Sequence, residues 1–265
     1  MTKKLAFLNL FSVILAIAVN YVSQAVDING TDIGEISRRY DNLFTPAAYA
    51  FAIWGPIFLA LLAYALFQIR RAFFSNKNSD FIEQTGYWFL IANVLNATWV
   101  LVFVYDLTWL SVLVMLGILF SLIQIILRTN MERWDAPIEI IAFVWWPICL
   151  YSGWIAVATI ANIAAYLSKI GWTGGPISEA HWTVIMIVIA TLVNLLMIWK
   201  RNMREFAAVG IWAFVAIYVR QEGTHPLISN VALGAAFILL VTILIHGAKN
   251  FKTNPFFKLL ERIKT

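Results

Sequence analysis

Long runs of apolar residues alternate with short polar segments along the whole chain. A helix needs about 20 mostly apolar residues to cross the roughly 30 Å of bilayer hydrocarbon, because each residue adds about 1.5 Å. Eight runs approach that length, and the seventh is the weakest because it is barely long enough. They predict transmembrane helices at residues 5–24, 47–69, 84–105, 107–127, 138–167, 182–199, 205–220 and 227–247. The pattern therefore predicts an all-α integral membrane protein, a polytopic bundle of about eight transmembrane helices.

The composition supports this fold class and explains the basic charge. Of the 265 residues, 62% are hydrophobic and 12% are charged, whereas soluble domains have about 45–50% and about 25%. Most of the 19 Lys and Arg residues lie in the N-terminus, the even-numbered loops and the tail. The positive-inside rule then predicts that both termini lie on the cytoplasmic side of the membrane. We expect this membrane to be a bacterial cytoplasmic membrane. The net charge of +5 thus reflects membrane topology, and no nucleic-acid partner is expected.

Both ends of the chain allow a second interpretation. Two lysines precede the first apolar run, which ends near Ser23-Gln24-Ala25 and also resembles a secretory signal with a small-x-small cleavage site. The length of that run favours a retained helix. The tail, residues 249–265, has apolar residues at helical spacing among basic ones. It fits an interfacial helix and a solvated basic tail equally well.

Ionisable residues are missing from the centres of the predicted spans, where pumps and proton-coupled transporters usually place them. The histidines His181, His225 and His246 lie near span ends, where such side chains are commonly solvated, and Cys149 is the only cysteine. No nucleophile, carboxylate pair or metal-ligand cluster stands at membrane depth. The sequence therefore predicts no catalytic residue, no metal site and no required cofactor.

Neutral polar and aromatic residues share one side of two of the predicted helices. These residues are Asn93, Asn96, Val100 and Phe103 on the third span, with Trp99 adjacent, and Tyr151, Trp154, Ala158 and Asn162 on the fifth. Amides in hydrocarbon need partners, so both faces should point into the bundle. They either join the helices to one another or line a pocket for a flat apolar ligand with a few polar groups. The residues alone leave both alternatives open.

Three motifs occur in order on the second, third and fifth predicted spans. They are residues 45–56 (TPAAYAFAIWGP), residues 95–99 (LNATW) followed by Phe103, and Tyr151-x-x-Trp154-x-x-x-Ala158-Thr159-x-x-Asn162. Together these motifs resemble those of the TspO/MBR family, the tryptophan-rich sensory or translocator proteins. The resemblance covers roughly residues 1–168. It implies a five-helix membrane domain there. The apolar runs add three further transmembrane helices at 169–248, without a counterpart in five-helix family members, and the tail follows at 249–265.

The resemblance also implies a ligand pocket between the helices and a tendency to form homodimers. Its walls would be Phe51, Trp54, Asn96, Trp99, Phe103, Trp154, Ala158 and Asn162, to which the helical faces add Asn93 and Tyr151. The loop over residues 27–45 would act as a lid, with an Asn29-Gly30 turn. In that lid, Arg38 and Arg39 would meet ligand carboxylates or simply be solvated.

The function expected from this resemblance is that of a membrane receptor or carrier. Its ligand would be a hydrophobic small molecule, most consistent with a tetrapyrrole such as a porphyrin or haem, or with a sterol-like compound. Membrane lipid and a second copy of the chain are the other expected partners. A secondary permease that moves a small solute through the eight helices is an alternative, and an enzyme that degrades a bound porphyrin with light or oxygen is another.

Overall fold

The computed structural model describes residues 1–251, and almost all of the predicted tail lies outside the described residues. The described part of the chain is helical and contains no strand. The helices are α1 (Thr2–Ala25), α2 (Ile33–Arg39), α3 (Trp54–Phe74), α4 (Asp80–Thr85), α5 (Trp88–Val104), α6 (Thr108–Arg128), α7 (Ile138–Ile140), α8 (Trp146–Lys169), α9 (Glu179–Arg201), α10 (Arg204–Gln221) and α11 (Pro226–Lys249). Two short 3₁₀ segments cover Ile28–Gly30 and Ala48–Ile53.

A long helix occupies each of the eight predicted spans, so the prediction of a polytopic helical membrane protein is confirmed. Within residues 1–251, six helical stretches are long and apolar enough to cross a membrane. They run over Thr2–Ala25, Ala48–Phe74, Thr108–Arg128, Ile138–Lys169, Glu179–Arg201 and Pro226–Lys249. The helix α5 is apolar but has only 17 residues. The helix α10 has 18 residues, three of which are Arg204, Glu205 and Arg220 near its ends, so it is the least apolar of the eight.

The predicted spans need correction in three places. The second span continues to Phe74 and does not end at residue 69. The third span begins at Trp88 and not at residue 84, because Gly86 has a positive φ of 56° and separates α4 from α5. The fifth span is one continuous helical stretch from Ile138 to Lys169, but residues Ile141–Trp145 form a π-helical turn. Pro147 follows this turn, and a proline removes one helical hydrogen bond and crowds the preceding turn. A widened turn at that place relieves the crowding.

The helix α10 lies between two groups of helices and joins them. Its residues Phe206 and Val209 belong to the buried core of α1, α3, α5, α6 and α8, whereas Ala213 and Phe214 belong to a second core with α9 and α11. A Cβ atom added at Gly153 of α8 would stand 2.8 Å from the carbonyl oxygen of Phe206. The glycine therefore permits close contact between α8 and α10.

Candidate ligand-binding site

Aromatic side chains from the second and fifth spans meet at the end of the bundle opposite the N-terminus. The Trp154 ring contacts Trp54 edge-on at 6.4 Å between centroids and Phe51 edge-on at 6.1 Å. Such edge-to-face contacts are the geometry that aromatic pairs prefer. Trp54 is also stacked on Phe58 at 5.0 Å. Within residues 1–251, neither the Trp54 nor the Trp154 indole N–H donates a hydrogen bond to the protein.

The 3₁₀ segment Ala48–Ile53 positions Phe51 at the start of the second span. Two hydrogen bonds hold this segment against α10, from Ala47 N to the carbonyl oxygen of Ala216 at 3.0 Å and from Trp212 Nε1 to that of Ala50 at 3.0 Å. Pro56 follows in the first turn of α3, where its missing N–H breaks no helical hydrogen bond. The additional C-terminal helices thus support one wall of the site.

A second wall contains a hydrogen-bonded group from α5, α6 and α8. The Trp99 Nε1 donates to Oδ1 of Asn162 at 2.7 Å, and Asn162 Nδ2 donates to Oγ of Ser111 at 2.9 Å. Trp99 is stacked on Phe103 with centroids 4.9 Å apart. Both Trp99 and Asn162 are buried. The amide of Asn162 therefore uses both of its polar ends within the protein.

These walls enclose a small inner cavity of about 50 Å³. Seven of the ten predicted wall residues line it: Phe51, Trp54, Trp99, Phe103, Trp154, Ala158 and Asn162. Its lining contains no carboxylate, thiol or imidazole group. The cavity therefore offers no general acid or base from those groups, and its volume accommodates only a few water molecules.

A larger vestibule of about 490 Å³ adjoins the inner cavity. The two spaces share the residues Ile33, Ser37, Thr45, Pro46, Phe51 and Trp54. The vestibule is more polar, because its lining also contains Asn20, Gln24, Asp32, Arg38 and Arg220. An apolar cavity thus opens into a space of ordinary ligand-site size, which is about 300–1,000 Å³.

The helix α2 covers these spaces, and the sequence analysis treated it as an irregular loop. The Asp32 side chain caps this helix by accepting a hydrogen bond from Glu35 N at 2.7 Å. The preceding turn contains Asn29 and Gly30 in the left-handed region, with φ values of 63° and 67°. The spacing of Asp32 and Glu35 is a helix-start signal that could have predicted α2.

Asp106, in the turn between α5 and α6, anchors the chain just after α2. It accepts a hydrogen bond from Tyr40 Oη at 2.7 Å and forms an ion pair with Lys169 at 2.9 Å. Burial by itself raises the pKa of the Asp106 carboxyl, but the hydrogen bonds from Lys169 and Tyr40 outweigh it and lower the net pKa. Burial, the hydrogen bond to Asp106 and its charge raise the pKa of Tyr40.

The two predicted lid arginines lie in different surroundings. Arg38 lines the vestibule and forms no ion pair within residues 1–251. Arg39 does not line the vestibule, and it pairs instead with Glu35 at 3.3 Å and with Asp106 at 3.9 Å. Of these two arginines, only Arg38 is therefore placed to meet a ligand in the vestibule. Arg220 also lines the vestibule, where it is paired with Asp41 at 2.7 Å.

Three predicted wall residues lie outside both spaces, at contacts between helices. The Asn93 Nδ2 donates to Oγ of Ser12 on α1 at 3.4 Å, and Asn96 Oδ1 accepts from Asn20 Nδ2 of α1 at 2.9 Å. Tyr151 is fully buried and contacts the Trp54 ring edge-on at 6.0 Å between centroids. These contacts join helices to one another. Tyr151 also packs against Trp54, which lines the cavity.

The fold and this arrangement define a polytopic helical membrane protein with an apolar, lidded cavity near one end. Residues 6–245 match the family model described as TSPO-like protein, so the chain belongs to that family. The match extends through α9 and α10 and reaches α11. No curated protein and no solved structure shows significant similarity to the chain. Membership in this family supports a membrane protein of the ligand-binding or transport type.

Proposed function

We propose that this protein is a membrane receptor or carrier for a flat hydrophobic molecule that bears carboxylate groups, of which tetrapyrroles such as porphyrins are the best-fitting class. The observation that carries the proposal is the direct connection of an apolar aromatic cavity to a vestibule that contains Arg38. A ligand with an apolar body and acidic side chains matches the two parts of this site.

The aromatic walls suit a flat conjugated ring. Phe51 and Trp54 line both spaces, so a ring in the vestibule would contact them and extend toward Trp154. Aromatic pairs contribute about 0.5–1.5 kcal/mol beyond the burial of their area. The Trp54 and Trp154 indole N–H groups, which have no acceptor in residues 1–251, can donate to polar atoms of the ligand.

The volumes indicate where such a molecule would lie. The inner cavity of about 50 Å³ is too small for a tetrapyrrole, whereas the vestibule of about 490 Å³ lies in the range of small-molecule sites. The ligand body would therefore occupy the vestibule beneath α2, with one edge directed into the inner cavity. Deeper insertion requires α2 or the aromatic side chains to move outward.

A titration of the purified protein with protoporphyrin tests this proposal. Quenching of tryptophan fluorescence should saturate at one ligand per chain. Replacing Trp54 and Trp154 together by Phe should weaken binding at least fivefold, because it removes both indole donors and reduces the ring area. The control is Trp109→Phe, which changes an exposed tryptophan on α6. Equal affinity in all three proteins would contradict the proposed site.

A further inference from the structure

A second cluster of polar side chains lies closer than the aromatic cavity to the end of the bundle that contains the N-terminus. It brings together Glu132 from the turn before α7, Cys149 from α8 and Glu205 from the first turn of α10. One ligand atom from each residue lies within 4.8 Å of the other two. Cys149 is completely buried. Two carboxylates and a thiol therefore converge at one place between these elements.

Two atoms in this region are buried without a hydrogen-bond partner among the described residues. They are Oε2 of Glu205 and Nδ1 of His246. His246 is only 3% exposed, and it lines a cavity of about 280 Å³ together with Glu132 and Glu205. The expectation of a solvated histidine at this span end is therefore wrong. Buried polar atoms without a partner are costly, so both atoms are available to bind a ligand.

We propose that Glu132, Cys149, Glu205 and His246 bind a divalent transition-metal ion, for which Zn²⁺ is the best-fitting choice. Thiolate sulfur, imidazole nitrogen and carboxylate oxygen are the ligand atoms of protein zinc sites. Ligand atoms at about 2.0–2.3 Å from zinc in a tetrahedron are roughly 3.3–3.8 Å apart. Shifts of about 1 Å would bring the three clustered atoms to that spacing, whereas His246 lies outside this cluster and would complete the site from the wall of the adjoining cavity.

The neighbouring residues of the cavity carry charges of both signs. Arg133 and Arg204 add positive charge beside the ion, and Asp135 adds negative charge. Two carboxylates and a thiolate supply three negative charges, which leave the site attractive to a dication. Soft sulfur and imidazole ligands favour zinc over magnesium or calcium, which prefer oxygen alone.

The site would connect the two groups of helices. Cys149 and Glu132 belong to the five-helix part, whereas Glu205 and His246 come from α10 and α11. The turn that carries Glu132 is already held to the α9–α10 connection, because Asn202 Nδ2 donates to its carbonyl oxygen at 2.7 Å. A bound ion would therefore fix the C-terminal helices against the rest of the bundle.

Metal binding by the full-length protein, purified with an affinity tag that contains no histidine, tests this proposal. Titration calorimetry with Zn²⁺ should give one site per chain. Binding of Co²⁺ should produce thiolate-to-metal charge-transfer absorption and intense visible bands of a tetrahedral ion. The changes Cys149→Ala, Glu205→Gln and His246→Gln should each weaken Zn²⁺ binding at least tenfold.

The matched control is His181→Asn, which removes an exposed histidine at the start of α9. This variant should bind Zn²⁺ with the wild-type affinity. The proposal is overturned if the wild type shows no saturable site, if the Co²⁺ complex lacks charge-transfer absorption, or if any of the three variants keeps full affinity. If the Cys149 variant does not fold, the Co²⁺ spectrum of the wild type decides. Protoporphyrin binding by the variants reports separately on the aromatic site.

Discussion

The indole Nε1 of Trp99 donates a 2.7 Å hydrogen bond to Oδ1 of Asn162, which joins α5 to α8 at the wall of the inner cavity. Asn162 also donates a 2.9 Å hydrogen bond from Nδ2 to Oγ of Ser111, which joins α8 to α6. Trp99 and Asn162, which the sequence predicts as ligand contacts, therefore form a hydrogen bond with each other. Their main effect on ligand binding is to fix the shape of the wall.

Replacing Asn162 by Leu should lower the thermal stability of the protein. The change leaves the Trp99 N–H without its acceptor in a buried place, which costs about 1–3 kcal/mol. The melting temperature, followed by fluorescence in detergent, should fall by several degrees.

The double variant Trp99→Phe/Asn162→Leu provides the control. Removing both partners of a buried hydrogen bond is less damaging than removing one. The double variant should therefore be more stable than the sum of the single changes predicts. Strict additivity would show that the two side chains are not coupled.

Gly153→Ala should destabilise the contact between α8 and α10. The new Cβ would stand 2.8 Å from the carbonyl oxygen of Phe206 and 3.1 Å from Cβ of Val209, so the two helices would have to separate. Gly234→Ala in α11 is the matched control, because nothing lies within 4 Å of its added Cβ. Alanine in a helix is more favourable than glycine by about 0.5–1 kcal/mol. Similar melting temperatures for both variants would show that α8 and α10 do not pack closely.

The helices and much of the inner cavity are predictable from the sequence, because both depend on local patterns. Apolar runs of spanning length locate the eight long helices. Helical spacing places Trp154, Ala158 and Asn162 on one side of α8, and all three line the cavity. The same spacing cannot tell which residues of a shared face reach the cavity. Tyr151 of α8 and Asn93 of α5 lie on the predicted faces of their helices but do not line the cavity.

The remaining features depend on contacts between distant parts of the chain. The vestibule includes Arg220 of α10, whose position follows from packing that no local pattern records. The burial of His246 likewise depends on the packing of α11, and its ring contacts Trp199 edge-on at 5.4 Å between centroids. Arg38 lines the vestibule and Arg39 does not, because successive side chains of the helix α2 point in different directions. This segment was predicted as a loop, so the sequence could not separate the two residues.

Arg38→Gln should weaken the binding of protoporphyrin, because Arg38 faces the vestibule without an ion-pair partner in residues 1–251. The side chain is exposed, so the expected loss is modest, about 1 kcal/mol or fivefold. The dimethyl ester of the porphyrin should bind both proteins equally. Arg39→Gln should not change affinity, because Arg39 lies outside the vestibule. An equal loss for the acid and the ester would show that Arg38 does not recognise carboxylates.

The lid should stay anchored over a wide pH range. Because the pKa of Asp106 is lowered in the folded protein, its stabilising effect is present above its ordinary value of about 4 and is lost as the pH falls through the folded pKa. Because the pKa of Tyr40 is raised, its effect is present below about 10 and is lost as the pH rises through the folded pKa.

Hydrogen exchange of the α2 amides, corrected for intrinsic rates, should therefore show constant protection between pH 5 and 9. At pH 7, Asp106→Asn should increase exchange in α2, because it removes the charge that Lys169 contacts at 2.9 Å. Asparagine tolerates the positive φ of 60° at this position, so the backbone turn should persist. A steep loss of protection between pH 5 and 9, or unchanged exchange in the variant, would contradict this anchoring.

The most direct test is an experimental structure of the protein with protoporphyrin bound. The ligand ring should lie beneath α2 against Phe51 and Trp54, with one edge toward Trp154 and a carboxylate within hydrogen-bond distance of Arg38. Ligand density elsewhere, such as in the space of about 470 Å³ lined by Ile163 and Leu167 of α8 and Thr183 of α9, or an empty vestibule at saturating porphyrin, would contradict the account.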